Sequence, residues 1–215
     1  VANLKIENFT SNEFTKYLDS YGYDINVPFD LKQHCKLDID PTQWFQFMSD
    51  NWINCYCFPY EPRPYQDQVT HDQTTYANRI GYHAGNSLKR DWGKNDPLHN
   101  DIFKEFIGKD NFDRIGVDPS TTLVRLFCYQ PGNVFPVHWD GFEGWNAKFG
   151  IDKTPTRFSV LINPYSYGQY LQIHDKMITN WSPGDTYVIP EGVLHCSGNG
   201  GIVPKITLTI TGLME

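Results

Sequence analysis

The chain has 215 residues, enough for one globular domain with a sizeable apolar interior, and its 40% hydrophobic and 20% charged content is that of a folded chain rather than a disordered one. Lys and Arg number 18 against 25 Asp and Glu, a formal charge of -7 with no basic run, which argues against a nucleic-acid partner because a phosphate backbone needs clustered cations. No stretch approaches the ~18 consecutive apolar residues of a membrane span, and the opening VANLKIENFTSNEF lacks a basic region followed by an apolar run, so no membrane partner is expected.

Helical signals come first. Thr10 and Glu13 have capping-box spacing ahead of Phe14, Tyr17 and Leu18, which predicts a helix starting there. A second helix is expected from Pro41 through Trp44, Phe45 and Phe47 to about Trp52, and a third from Pro97 through Ile102, Phe103 and Phe106. Between them CYCFPYEPRPYQDQ and the polar sequence that follows read as loop with a strand or two, its Cys55 to Tyr65 part being either a lid over a site or a loop whose aromatics pack on a sheet. The five cysteines, Cys35, Cys55, Cys57, Cys128 and Cys196, are odd in number and form no Cys-x-x-Cys pair, which predicts reduced thiols and an intracellular, cytoplasmic protein.

After about Asp118 the pattern changes to short alternating or apolar runs broken by Gly, Pro, Asn and Asp, the mark of strands. Strands are expected near 121–129, 134–140, 157–163, 169–174, 177–181, 185–189, 193–197 and 205–211. Eight short strands with turns between them predict an α+β, mainly β protein: a double-stranded β-helix, or jelly roll, with the N-terminal helices packed on it. The division expected is a mixed helical and loop region over 1–118 and a jelly-roll core over 119–215, the two making one structural unit.

Alternation along the strand at 134–140 places His138 and Asp140 on one face with Trp139 on the other. His195 follows the turn Pro190-Glu191-Gly192, several strands on, and a returning jelly-roll strand would complete a two-histidine, one-carboxylate face. Such a face suits non-haem Fe(II), because it leaves coordination positions open for a chelating ligand and O2. A lone His-x-Asp is weak evidence among seven histidines and 25 acids. His34, His71, His83, His99 and His174 have no comparable surroundings and are expected to be structural or surface residues.

The wider pattern Tyr129-x-x-Gly132-x-x-Phe135-x-x-His138-x-Asp140, with His195 and then Lys205-x-Thr207, resembles the prolyl-hydroxylase-like branch of the iron(II)- and 2-oxoglutarate-dependent oxygenases. The resemblance covers roughly residues 121–212, with Phe135 where Tyr is commoner and Lys205 where several branches carry Arg. It implies that His138, Asp140 and His195 hold Fe(II) and that Lys205 and Thr207 grip the cosubstrate 2-oxoglutarate, with the Tyr129 hydroxyl helping. The reaction implied is hydroxylation by O2 of a small-molecule, amino-acid or peptidyl substrate, with release of succinate and CO2. Tyr129 is equally well read as a core aromatic.

Lys205, Thr207 and Thr209 share one strand face, a polar face suited to a barrel interior, while Ile206, Leu208 and Ile210 face the helices. Arg125 shares a face with Tyr129 and is either a substrate or cosubstrate contact or half of a structural salt bridge. Asn163, counted on the face of Ser159 and Leu161, is a further pocket candidate. The main alternative is a cupin, a metal-dependent enzyme or a metal- or sugar-binding module on a similar jelly roll. Gly184-x5-Pro190-x-Gly192-x2-His195-x3-Asn199 has the spacing of the second cupin motif, but Asp140 stands where the first cupin motif has its second His. A non-catalytic domain that kept the scaffold is the other alternative.

Overall fold

The computed structural model describes residues 28–52, 56–57, 90–93 and 97–215. The helix expected from Thr10 and most of the Cys55 to Tyr65 segment lie outside the described residues. The elements described here fall in the unit Leu31–Glu215.

In chain order the strands are β1 (Gln33–Lys36), β2 (Tyr56–Cys57), β3 (Arg90–Trp92), β4 (Leu123–Tyr129), β5 (Val134–His138), β6 (Thr156–Leu161), β7 (Gln169–Ile173), β8 (Lys176–Ile178), β9 (Asp185–Ile189), β10 (His195–Asn199) and β11 (Lys205–Gly212). The helices are α1 (Pro41–Asp50), α2 (Pro97–Ile107), α3 (Lys109–Ile115) and α4 (Glu143–Phe149). The larger sheet runs β1-β9-β6-β11-β4-β3-β2 and the smaller β5-β10-β7-β8, all antiparallel. From β4 to β11 the chain passes between the two sheets in the order of a double-stranded β-helix. Three short strands from the first 118 residues, β1, β2 and β3, extend the larger sheet at its two edges.

The larger sheet has one apolar and one mixed face, as strand alternation requires. Val124, Leu126, Cys128, Phe158, Val160, Ile206, Leu208 and Ile210 are buried on the first, and with Trp44, Phe47, Phe103, Ile107 and Phe112 from the helices they form the core. Each large apolar side chain withdrawn from water there contributes about 1.5–3 kcal/mol. Asp40 caps α1 by accepting from the Thr42 amide at 2.9 Å, and Pro41 occupies the first turn, where its missing N–H costs nothing. Trp44 and Phe47 from α1 then meet Phe103 of α2 at ring-centroid distances of 5.5 and 4.9 Å.

Three departures from the sequence expectations bear on the site. β5 stops at His138, so Asp140 stands in the following loop and not on the strand. β6 stops at Leu161, which takes Asn163 off the face of Ser159 and Leu161. The short helices α3 and α4 and the edge strand β1, whose QHCK sequence is polar, were not anticipated.

Gly184 illustrates how tightly the sheet is joined to what precedes it. Its carbonyl accepts from the Leu37 amide at 2.9 Å and its own amide donates to the Leu161 carbonyl at 2.8 Å. Its φ is +86°, and a Cβ there would stand 2.0 Å from the Leu37 carbonyl oxygen. Gly184→Ala is therefore expected to cost more than about 1 kcal/mol of stability, measured by urea unfolding, because both the backbone conformation and the space reject a methyl group. An unchanged midpoint would contradict this packing.

Candidate metal centre

β5 and β10 are antiparallel neighbours in a register that sets His195 directly opposite His138. Directly opposed side chains on one face of a sheet are close neighbours, and the two imidazole centroids lie 4.2 Å apart. Although Asp140 lies beyond the strand, it turns back to them: its Oδ1 is 3.9 Å from His138 Nε2 and its Oδ2 3.2 Å from His195 Nε2. One ligand atom from each residue fits within 4.8 Å of the others.

The donor set fits a divalent transition metal. The His195 Nδ1 donates to the Val193 carbonyl at 3.0 Å, which leaves Nε2 facing Asp140 and the shared space, where it donates to the carboxylate when protonated and offers its lone pair to a metal when not. Phe135 packs edge-on against the His138 ring at 4.5 Å, steadying the imidazole without offering it a hydroxyl. Burial pushes the Asp140 carboxyl up, but the Arg157 guanidinium, followed by His195 and His138, outweighs it and holds the acid well below the usual carboxylate range. Asp140 is thus anionic wherever the protein is folded at ordinary pH.

Arg157, which the sequence did not single out, is the second residue of β6 and forms an ion pair with the Asp140 Oδ2 through Nη1. Its Nε donates to the Thr211 hydroxyl at 3.2 Å, and its guanidinium lies 5.1 Å over the Phe142 ring.

Deeper in the barrel, Lys205 lies at the start of β11, opposite Tyr129, on the face that also carries Thr207, opposite Phe127 and Leu161, and Thr209, opposite Arg125 and Ser159. Its side chain is 0% exposed and crosses from the larger sheet to the smaller, where Nζ donates to the Tyr170 carbonyl and the Ser197 hydroxyl. The rings of Tyr129 and Trp181 lie 5.2 and 5.4 Å from the same Nζ. Ser197 is two residues along β10 from His195, so the hydroxyl that accepts from the ammonium belongs to a residue one pleat, roughly 6.5 Å along the strand, from a candidate metal ligand. All these neighbours are neutral. Burial pushes the lysine down to about 7, opposed only by the Cys196 thiol, which burial itself raises to about 11.

Asn163 has a structural role. Its side-chain oxygen accepts from the Ile206 amide at 2.7 Å and its nitrogen donates to the Pro164 carbonyl at 2.8 Å, while its backbone carbonyl receives the Trp181 indole N–H at 2.9 Å. Arg125 is half-buried on the Lys205 face, its guanidinium 4.8 Å over the Phe127 ring. Asn199, the end of the cupin-like spacing, also knits the barrel together, donating to the carbonyls of Tyr129 and Val203 at 2.8 Å each.

Fold and site define a double-stranded β-helix with a candidate two-histidine, one-carboxylate metal centre. No family model matches the chain, and no curated protein does. Among solved structures it is similar to one described as a predicted oxalate decarboxylase from Thermotoga maritima, at 10% identity over 60% of this chain and 83% of that one, with a TM-score of 0.35. It is similar also to a cupin superfamily protein from Desulfitobacterium hafniense (14% identity, 43% and 67% covered, TM-score 0.30) and to a cupin 2 conserved barrel domain protein from Salinispora arenicola (11%, 43% and 63%, TM-score 0.31). Two of these titles name cupins, the alternative weighed from the sequence, and none names a 2-oxoglutarate oxygenase. Likenesses this distant carry no argument about activity, and the fold assignment rests on the strand order. Among the described residues no helix is long and apolar enough to cross a membrane.

His138→Ala or His195→Ala is expected to abolish stoichiometric binding of Fe(II) or Co(II) while leaving the far-ultraviolet circular dichroism unchanged, because neither imidazole belongs to the apolar core. A variant with parental metal content would remove that residue from the centre.

Proposed function

We propose that this protein is an iron(II)- and 2-oxoglutarate-dependent oxygenase acting on a small-molecule, amino-acid or peptidyl substrate. The observation that carries this reading is the buried Lys205: an ammonium inside the barrel with no carboxylate partner among the described residues. Burying a cation among neutral groups is costly, so Lys205 sheds its proton near pH 7 unless an anion joins it and holds the charge. A five-carbon dicarboxylate held at one end by the metal, with its far carboxylate at Lys205, would supply that anion. The pleat between His195 and Ser197 is comparable to the reach of such a molecule.

Bound in this way, the metal and cosubstrate would supply the oxidising chemistry, consuming O2 and releasing succinate and CO2. The residues divide the remaining work. His138 and His195 offer neutral imidazoles and Asp140 an anion, which together lower the charge of a dication to one suited to a doubly charged ligand. Lys205 provides the point charge for the far carboxylate, with the Thr207 hydroxyl, which has no hydrogen-bond partner among the described residues, and Tyr129 on the same face. The dry surroundings of Lys205 strengthen that contact.

A second reading, a cupin-type metal-dependent enzyme or a metal- or sugar-binding module, is favoured by the Gly184 to Asn199 spacing. Both readings share the coarser description of a metal-dependent jelly-roll protein. They part at Lys205, for which a cupin that binds metal alone has no use as a charge.

Lys205→Met is expected to weaken 2-oxoglutarate binding to the metal-loaded protein roughly ten- to a hundredfold, the size of one charge-assisted contact, while leaving metal affinity unchanged. Equal affinity in variant and parent would favour the cupin reading.

The lowered lysine gives a second expectation. In the free protein Lys205 loses its proton as the pH rises through about 7, whereas a carboxylate beside it restores the charged form. Cosubstrate binding should therefore take up a proton above about pH 7, and affinity should fall as the pH rises. Calorimetry in buffers of different ionisation enthalpy reads this directly, and binding with no proton uptake would contradict it.

A further inference from the structure

We infer that the substrate carries a carboxylate and that Arg157 receives it beside the metal centre. This rests on the oxygenase reading above and names the class of substrate for it.

Arg157 stands at the end of β6 where the triad lies, opposite Thr211 of β11 and Ile189 of β9. Its side chain is held from three sides: the Thr211 hydroxyl at Nε, Asp140 at Nη1 and the Phe142 ring beneath the guanidinium plane. At 14% exposure it is not a solvated surface arginine, and Nη2 has no hydrogen-bond partner among the described residues. With Nε and Nη1 engaged, the held guanidinium still offers the N–H donors of Nη2, and a charge-assisted bond to a carboxylate oxygen is the strongest they can make. Nη2 belongs to the guanidinium that is ion-paired with a candidate metal ligand, so an acid held there would lie beside the metal centre.

Charge points the same way. The far carboxylate of the cosubstrate is balanced by Lys205. Among the described residues at the triad, Arg157 and a divalent metal would face Asp140 and the chelating carboxylate, which leaves one positive charge over. One further anion neutralises it, whereas a neutral amide or peptide group does not.

Acetate tests this without knowledge of the substrate. The full chain is loaded with Co(II), saturated with 2-oxoglutarate to occupy the chelating positions and Lys205, and titrated with acetate while the relaxation of the acetate methyl protons is followed by NMR. Saturable enhancement is expected for acetate and none for acetamide, with acetate affinity falling roughly tenfold in Arg157→Gln. Acetamide enhanced as strongly as acetate, no saturable acetate enhancement in the parent, or parental acetate affinity in Arg157→Gln would each overturn the inference. Inorganic phosphate that relaxes in the same way while acetate does not would overturn it in favour of a phosphorylated substrate. Cobalt content is measured in every sample. If Arg157→Gln releases the metal, Arg157→Lys carries the comparison: it keeps a cation for Asp140 but lacks the Nη2 donors, and undiminished acetate affinity there would equally overturn the inference. Failure of the oxygenase reading has a separate sign, the absence of any 2-oxoglutarate effect on the cobalt visible spectrum before acetate is added.

Discussion

The register between β5 and β10 is the constraint on which the site depends. With His195 opposite His138, two imidazoles meet on one face of the smaller sheet, and Asp140 has only to fold back from the loop to complete the set. A slip of one residue in either strand would turn an imidazole to the other face, since the side-chain period is two. The same strand fixes the other end of the site, because Ser197, two residues along β10, accepts from Lys205. Metal centre and buried cation are thus held at a set spacing by one strand.

Charge balance explains why the site takes this form. Asp140 remains anionic despite its burial because Arg157 and the two histidines surround it, and Arg157 is itself held by Thr211 and Phe142. At the other end Lys205 lies among neutral acceptors and aromatic rings, where burial works against its charge. One end of the barrel therefore compensates its own ions, whereas at the other no carboxylate among the described residues faces the lysine. This asymmetry is what sets the oxygenase reading apart from a simple metal-binding cupin.

Much of the architecture was legible in the sequence because strand periodicity is local. The apolar alternation of Ile206, Leu208 and Ile210 against Lys205, Thr207 and Thr209 located β11 and its two faces, and both appear as expected. The triad was legible because His138, Asp140 and His195 stand in a recognisable spacing, although continuing β5 to Asp140 was an error: the carboxylate turns toward His195 and Arg157 and leaves the ladder. Arg157 was not legible, because nothing in TRFSVL signals an acceptor that lies on the far side of α4. The acceptors of Lys205 were hidden for a related reason, since Tyr170 and Ser197 belong to the opposite sheet. Asn163 had a plausible face by counting, and lost it because β6 ends two residues earlier.

In the oxygenase reading a metal at His138, Asp140 and His195 and a dicarboxylate at Lys205 share one site. Anaerobic addition of Fe(II) followed by 2-oxoglutarate tests it most directly, by the weak visible charge-transfer band that arises when the 2-oxo acid chelates the iron. The band is expected to appear in the parent protein, to be absent with Fe(II) alone, and to need far more 2-oxoglutarate in Lys205→Met. Stoichiometric iron binding with no band at any concentration of 2-oxoglutarate would contradict it.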